Sequence, residues 1–289
     1  MVSMNQLTVA RRSQLVAALI EGNSIRSTVR MTGVAKNTVV KLLVELGAAC
    51  SGYQDQVMRN LPCHRIQCDE IWAFVGCKQK NVTPEKAEAG VCGDVWTWTA
   101  IDAQTKLIPC WLIGQRDAIA ARDFIEDLAS RLASRVQLTT DSHKPYLTAV
   151  DRAFGEEIDY AQLVKIYGAD VEGQKRYSPA QCIGTRVAPI SGDPDPTHIS
   201  TSHVERSNLS IRMGTRRFTR LMTNAFSKKI ENHAAGVGLF FMYYNFGRKH
   251  QTLGTTPAVK IGIADHVWSI EEIIGLLDRQ AVTAGPDSN

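Results

Sequence analysis

The period of the apolar positions changes along the chain. In "SQLVAALIEGNSIRSTVRMTGVAKNTVVKLLVELG", from Ser13 to Gly47, they recur at helical spacing in three short blocks. The first block, around Gln14 to Glu21, stops at Gly22-Asn23, and Ser24 is placed to cap the second. The second runs to Thr32-Gly33, and Val34 to Thr38 opens the third. Two helices joined by a glycine-containing turn form the helix-turn-helix pattern, whose second member lies in the DNA major groove. On that reading Lys36, Asn37, Thr38 and Lys41 sit on the base-facing part of the third helix. The same periodicity also suits an ordinary three-helix packing unit with polar residues outside.

After Leu61-Pro62 the pattern turns to strands and helices. "RIQCDEIWAFVGCK" (65–78), "VWTWTAIDA" and "KLIPCWLIG" are rich in β-formers, and the last two are separated by the turn "DAQTK", so an antiparallel meander is expected. A helix from Asp117 to about Leu132 follows, N-capped by Asp117, with Ile119, Phe124, Leu128 and Leu132 near one face. "VQLTTDS" (136–142) is a strand that stops at an acid, and "PYLTAVDRAFG" is another helix. A crossover helix returns the fourth strand beside the first, giving an α/β layer arrangement. Asp69, inside the first strand, and Asp141, at the end of the fourth, then become neighbours. An aspartate inside a strand opposes local propensity and needs a reason. Further on, "IENHAAGVGLFFMYYNFG" is an apolar helix expected in the core rather than at an interface.

The 289 residues are 44% hydrophobic, enough for one large domain with a small appendage. No stretch approaches the roughly 18 uninterrupted apolar residues of a membrane span, and the N-terminus lacks the apolar core of a signal peptide. A cytoplasmic protein with no membrane partner, associated with the bacterial nucleoid, is the expectation. The net charge of +4 is unevenly spread. Residues 1–50 carry six Lys/Arg against two Glu, and 201–250 carry nine against two, whereas 151–200 carries five against eight acids. Two basic regions flanking a neutral to acidic middle point to a polyanionic partner. The seven cysteines form no CxxC pair, and Cys63, His64, Cys68 and Cys77 fit no standard zinc spacing, so reduced thiols and no zinc are expected.

The chemistry lies in the acids. Asp69, Asp141 and a glutamate from a helix, Glu205 in "HVERSNLSIRMGTRRFTR", could hold two divalent cations about 3.5–4 Å apart, the arrangement that serves phosphodiester displacement. Hard carboxylate oxygens select magnesium or manganese. If the stretch is a helix, Arg212, Arg216 and Arg220 share a face and hold the DNA backbone. Ser202-His203-Val204-Glu205 equally fits the S-x-x-E capping box, and spacing does not separate the two roles. Asp102 competes for a place in the site, but "DAQTK" reads as a turn and ranks it below the others.

These motifs carry a resemblance. The chain resembles the DDE transposases of bacterial insertion sequences, nearest the IS-one family, within the RNase H-like superfamily. "CDEIWAFVGCK" resembles that family's first-aspartate motif, "TTDSHKPY" its second, "HVERSNLSIR" its glutamate motif, and "FFMYYNFGRKHQTLGTTPA" the tail after the glutamate helix. The resemblance implies an RNase H-like catalytic core, a mixed sheet with helices on both faces, preceded by a small all-α helix-turn-helix domain. It implies Asp69, Asp141 and Glu205 as catalytic triad and metal ligands, with Arg212 near the scissile phosphate. His203 and His143, each two residues from a triad acid, are accessory candidates. Arg212, Arg216, Arg217, Arg220, Lys228 and Lys229 form a DNA-binding patch beside Lys36, Asn37, Thr38 and Lys41.

The resulting domain plan is a helix-turn-helix domain at 1–50, a linker at 51–64, a catalytic domain at 65–258 with an insertion at about 155–200, and a C-terminal helix and disordered tail at 259–289. Within the insertion, the proline-rich "SGDPDPTHIS" (191–200) is expected as a mobile loop close to the site. The activity implied is binding of terminal inverted repeats on double-stranded DNA, metal-dependent cleavage to free a 3′-hydroxyl, and attack of that hydroxyl on target DNA. No ATP is implied, since one phosphodiester replaces another and no G-x-x-x-x-G-K-[ST] loop is present. Joining two ends to one target calls for a homo-oligomer. The competing readings are a catalytically silent, transposase-derived DNA-binding regulator and a metal-dependent nuclease without strand transfer.

Overall fold

The computed structural model describes residues 7–88, 92–168, 182–218 and 226–283; Arg220 lies outside them. In chain order the elements are α1 (Val9–Ile20), α2 (Ile25–Thr32), α3 (Lys36–Val57), β1 (Arg65–Val75), α4 (Pro84–Glu88), β2 (Gly93–Asp102) and β3 (Trp111–Gly114). There follow α5 (Ala118–Arg131), β4 (Val136–Thr140), α6 (Pro145–Phe154), β5 (Ile158–Tyr167), β6 (Cys182–Ser191) and α7 (Ser202–Gly214). The chain closes with α8 (Ile230–Met242), a π-helical turn Tyr243–Gly247, α9 (Pro257–Ile261), α10 (Ile270–Ile274) and α11 (Leu276–Thr283). They group into two compact units: Met1–Met58 with Trp72–Thr97 and Asn208–Asn289, and Arg59–Ile71 with Trp98–Ser207.

In the first unit, Thr8 and Ser24 cap α1 and α2 through side-chain oxygens, and α2 stops at Gly33, whose φ of 70° is the left-handed conformation glycine adopts without strain. α3 runs on to Val57, so residues 51–57, expected within a linker, are its last two turns. Gly47 explains how α3 persists: a Cβ there would strike the Ala235 backbone, so the glycine lets α3 and α8 approach closely. Farther along, the buried Gln54 side chain accepts from Asn245 Nδ2 at 3.2 Å and donates to the Gly238 carbonyl at 3.4 Å. As expected for a core helix, α8 is buried from Ala235 to Met242.

The described strands form one sheet in the order β3-β2-β1-β4-β5-β6. β4 is parallel to β1 and to β5, and β6 returns antiparallel along β5. The Ala103 amide, just past β2, donates to the Arg65 carbonyl at the start of β1, so those two strands run in opposite directions. A mixed sheet ordered 3-2-1-4-5, with the first strand parallel to the fourth, is the RNase H-like arrangement. Helices cover both faces of it. Side chains alternate along β1, and Gln67 meets the start of α7 while Glu70, on the other face, meets Tyr146 of α6.

Asp117 caps α5 as expected, accepting from the Ala120 amide at 2.9 Å. Its buried stripe is Ala121, Phe124, Ile125 and Leu128, and Ile119, expected inside, is 64% exposed because it falls off that i, i+3, i+4, i+7 face. The proline-rich segment 191–200 is tied to the sheet in its first half and leads into α7 at its end. Asp195 exchanges two hydrogen bonds with the Gln137 side chain (3.0 and 3.1 Å), and the Asp193 amide donates to Asp159 at 2.9 Å. These bonds fasten residues 193–195 at the beginning of β4 and β5, roughly 13 Å along the sheet from Asp141, while Ser200 at the other end bonds Ser202 of α7.

Candidate active site

β1 and β4 set the first two acids. The parallel register pairs Gln67 with Thr139, and two residues farther on it brings Asp69 level with Asp141, just beyond the end of β4. Glu70 joins them: among the described residues, ligand oxygens of Asp69, Glu70 and Asp141 all lie within 4.8 Å of one another. Burial pushes the Asp69 carboxyl up to about 6, and the charges of Asp141 and Glu205 add to the rise. Burial likewise lifts Glu70 to about 7, with Asp141 and Asp69 adding to it, against the nearby Tyr146 hydroxyl and the Arg116 hydrogen bond. Crowded carboxylates in a partly dry site resist ionisation, and a cation among them relieves both the repulsion and the lost hydration. The donor set fits a divalent ion: the oxygens are hard, and the buried Glu70 Oε1 has no hydrogen-bond partner.

Glu205 comes from the first turn of α7 and lies outside that group of three, though its charge acts on Asp69. Its Oε1 accepts from Lys165 Nζ of β5 at 2.5 Å and from the Thr201 hydroxyl. No S-x-x-E box forms. Ser202 is already helical, the Glu205 amide bonds the Thr201 carbonyl, and the helix start is capped by Gln67 Oε1, which accepts from the His203 and Val204 amides at 2.8 and 3.1 Å. Asp102 ends β2 and closes the turn after it: it is buried, and its carboxylate accepts from the Thr105 amide and hydroxyl at 2.8 and 2.7 Å.

His143 donates its amide to Asp141 Oδ1 at 2.9 Å and sets its ring against Trp98 and Tyr146, where burial, then Arg116, hold its pKa down. His203 faces the 103–106 turn, its ring 3.1 Å from Lys106 Nζ; burial and then Lys106 and Arg65 hold its pKa down. Cys63 and Cys68 are buried, and that burial pushes their thiols up.

The basic candidates lie in the first unit. Lys36, Asn37, Thr38 and Lys41 are exposed at the start of α3, and Arg216, Lys228 and Lys229 are exposed too. Arg212 reaches toward the Phe218 carbonyl at 3.4 Å. Arg212 and Arg216 do not share one helical face, since α7 ends at Gly214 and Arg216 and Arg217 occupy a 3₁₀ turn. Arg217 departs from the phosphate-binding expectation. Its guanidinium packs over Gly236 and bonds Ser227 Oγ at 3.0 Å, and burial lowers its pKa to about 10.

Sequence reasoning missed Gln67, Glu70, Arg116, Tyr146 and Lys165. Arg116 Nε lies 3.0 Å from Glu70 Oε2, and its Nη2 lies 3.4 Å from Asp141 Oδ2. The available signals were a second acid inside an apolar strand (Asp69-Glu70) and a lysine interrupting "AQLVKIY".

Residues 93–175 match a family model described as a DDE domain, of the IS240 transposase type. Over this stretch the chain is similar to DDE transposases. The match contains Asp141, and the finer IS-one assignment stays a reading of the motifs. No curated protein matches the chain. Among solved structures, a piggyBac transposase synaptic complex with hairpin DNA aligns at a TM-score of 0.44 and 10% identity, covering 97% of this chain and 73% of that one.

Proposed function

We propose that the protein is a transposase that binds the terminal inverted repeats of an insertion sequence and performs metal-dependent strand cleavage and strand transfer on double-stranded DNA. The observation that carries this reading is the meeting of Asp69, Glu70 and Asp141 on the two central parallel strands of an RNase H-like sheet, within a chain whose residues 93–175 match a DDE domain. Asp69, Asp141 and Glu205 are the proposed catalytic acids and would hold two magnesium or manganese ions, with Glu70 as a further ligand candidate. Bound there, the ions would supply charge stabilisation for an in-line displacement at phosphorus. The chain's own residues set the geometry: β1 and β4 fix the aspartates, and Gln67 fixes the start of the helix that carries Glu205. His143 orients Asp141 through its backbone amide.

For DNA binding we propose the exposed start of α3, with Lys36, Asn37, Thr38 and Lys41, together with Arg212, Arg216, Lys228 and Lys229. The chain would act as a homo-oligomer, because two element ends meet one target.

The reading is tested with a labelled fragment carrying the element's own end, incubated with the full chain and magnesium, with EDTA, and with Glu205→Gln. Metal-dependent nicking that the Gln variant loses supports it. Equal end binding by both proteins, with no cutting under any divalent metal, contradicts it.

A further inference from the structure

We infer that Arg116 and Lys165 are resident counter-cations of the acid cluster: they hold Asp141 and Glu205 in place without metal and give up those oxygens when divalent ions bind. The inference rests on the metal-dependent reading above and names two positioning residues for it.

Glu70, Asp141 and Glu205 are each bonded to one of these two side chains. The Arg116 guanidinium bridges Glu70 (3.0 Å) and Asp141 (3.4 Å), and the Lys165 ammonium lies 2.5 Å from Glu205. Their surroundings differ. The Glu70 side chain is 1% exposed, whereas Asp141, Glu205, Arg116 and Lys165 are 29–41% exposed. Arg116 therefore has a deep anchor in Glu70 and a looser, longer contact to Asp141, the acid a metal needs.

Neither cation can ligate a metal, and each occupies an oxygen that a metal would take. Metal binding at Asp141 and Glu205 must lengthen or break these bonds, so cation and metal compete by linkage. While both bonds are made, the buried Glu70 Oε1 and the second oxygens of Asp141 and Glu205 stay clear of the two cations. Once displaced, Arg116 and Lys165 keep their charge beside the site, available to an incoming phosphate.

Manganese titration of the metal-free full chain, read by the EPR signal of free Mn²⁺, tests this without any cleavage step. Lys165→Gln is expected to tighten Mn²⁺ binding about tenfold, the scale of one charge-assisted hydrogen bond removed from the competition. Lys165→Arg should stay near the wild type, and the gain should vanish when Glu205→Gln is added. Arg116→Gln, paired with Asp141→Asn, is a second cycle should Lys165→Gln fold poorly. Unchanged or weaker Mn²⁺ binding by both Gln variants overturns the inference, as does a gain that survives Glu205→Gln undiminished, since that is only a remote charge effect. If wild type and all variants bind no Mn²⁺, the metal-dependent reading itself falls.

Discussion

Gln67 Oε1 accepts a hydrogen bond from the His203 amide at 2.8 Å. Gln67 stands two residues before Asp69 on β1, and His203 two residues before Glu205 on α7. One buried amide side chain thus ties the strand of the first acid to the helix of the last. The same oxygen also takes the Val204 amide at 3.1 Å, satisfying two of the helix's four unpaired N–H groups.

Gln67→Leu should therefore uncap α7 in a buried place. Each orphaned amide costs about 1–3 kcal/mol, so urea unfolding should show a loss of that order. Cleavage should fall further than the unfolded fraction explains, because Glu205 loses its fixed approach. A variant as active as wild type after correction for folding would contradict this role.

Because Gln67 caps the helix, Ser202 is nearly idle. Ser202→Ala should change stability by no more than about 0.5 kcal/mol, whereas a working capping box would lose about 1 kcal/mol. Glu205→Gln, by contrast, should leave the fold intact while removing cleavage.

The raised carboxyls predict a pH dependence with a definite sign. Asp69 at about 6 and Glu70 at about 7 bind protons more tightly folded than unfolded, so the stability they contribute is fully present below their unfolded values and is lost as pH rises to 7 and beyond. The melting temperature of the metal-free protein should therefore fall across roughly pH 4.5 to 7.5 relative to Asp69→Asn/Glu70→Gln, which should be flatter. Added Mn²⁺ should restore the wild type at the alkaline end and do little for the double variant.

The basic residues separate into two kinds. Lys36→Gln and Arg216→Gln, at exposed positions, should weaken binding to an element end and each reduce the salt slope by about 1. Arg217→Gln should leave that slope unchanged and instead lower stability, since its guanidinium is enclosed over Gly236 and bonded to Ser227. Fluorescence anisotropy at several salt concentrations, beside thermal melts, distinguishes the two.

Much of the architecture was legible in the sequence because alternation and helical periodicity report burial directly. The meander, the capped α5 and the return of β4 beside β1 follow from patterns in which each strand or helix shows its buried face. Where the reading failed, long-range contact decided. α3 continues through Gly47 because of what lies opposite it, Ala235, and nothing local to "ELGAAC" records that. The arginines after Glu205 look periodic, yet Gly214 ends the helix before the period can operate. Asp69 announced itself as a charge where β-formers belong. Glu70 carried the same signal, but its neighbours on the other face, Tyr146 and Arg116, are 76 and 46 residues away in sequence. Lys165 and Gln67 gave no more than a polar residue in a strand, because a capping or ion-pairing role belongs to the partner element rather than to the residue.

The central claim is strand transfer, and the most direct measurement uses a pre-cleaved element end with a labelled strand, incubated with full-length protein, a supercoiled target plasmid and Mg²⁺. The account predicts covalent joining of the label to the plasmid when the end carries a 3′-hydroxyl, none when it carries a 3′-dideoxy terminus, and none with Asp69→Asn or Asp141→Asn. Plasmid nicking with no joined product from the 3′-hydroxyl end, under conditions where the end is bound, would contradict it and leave a nuclease.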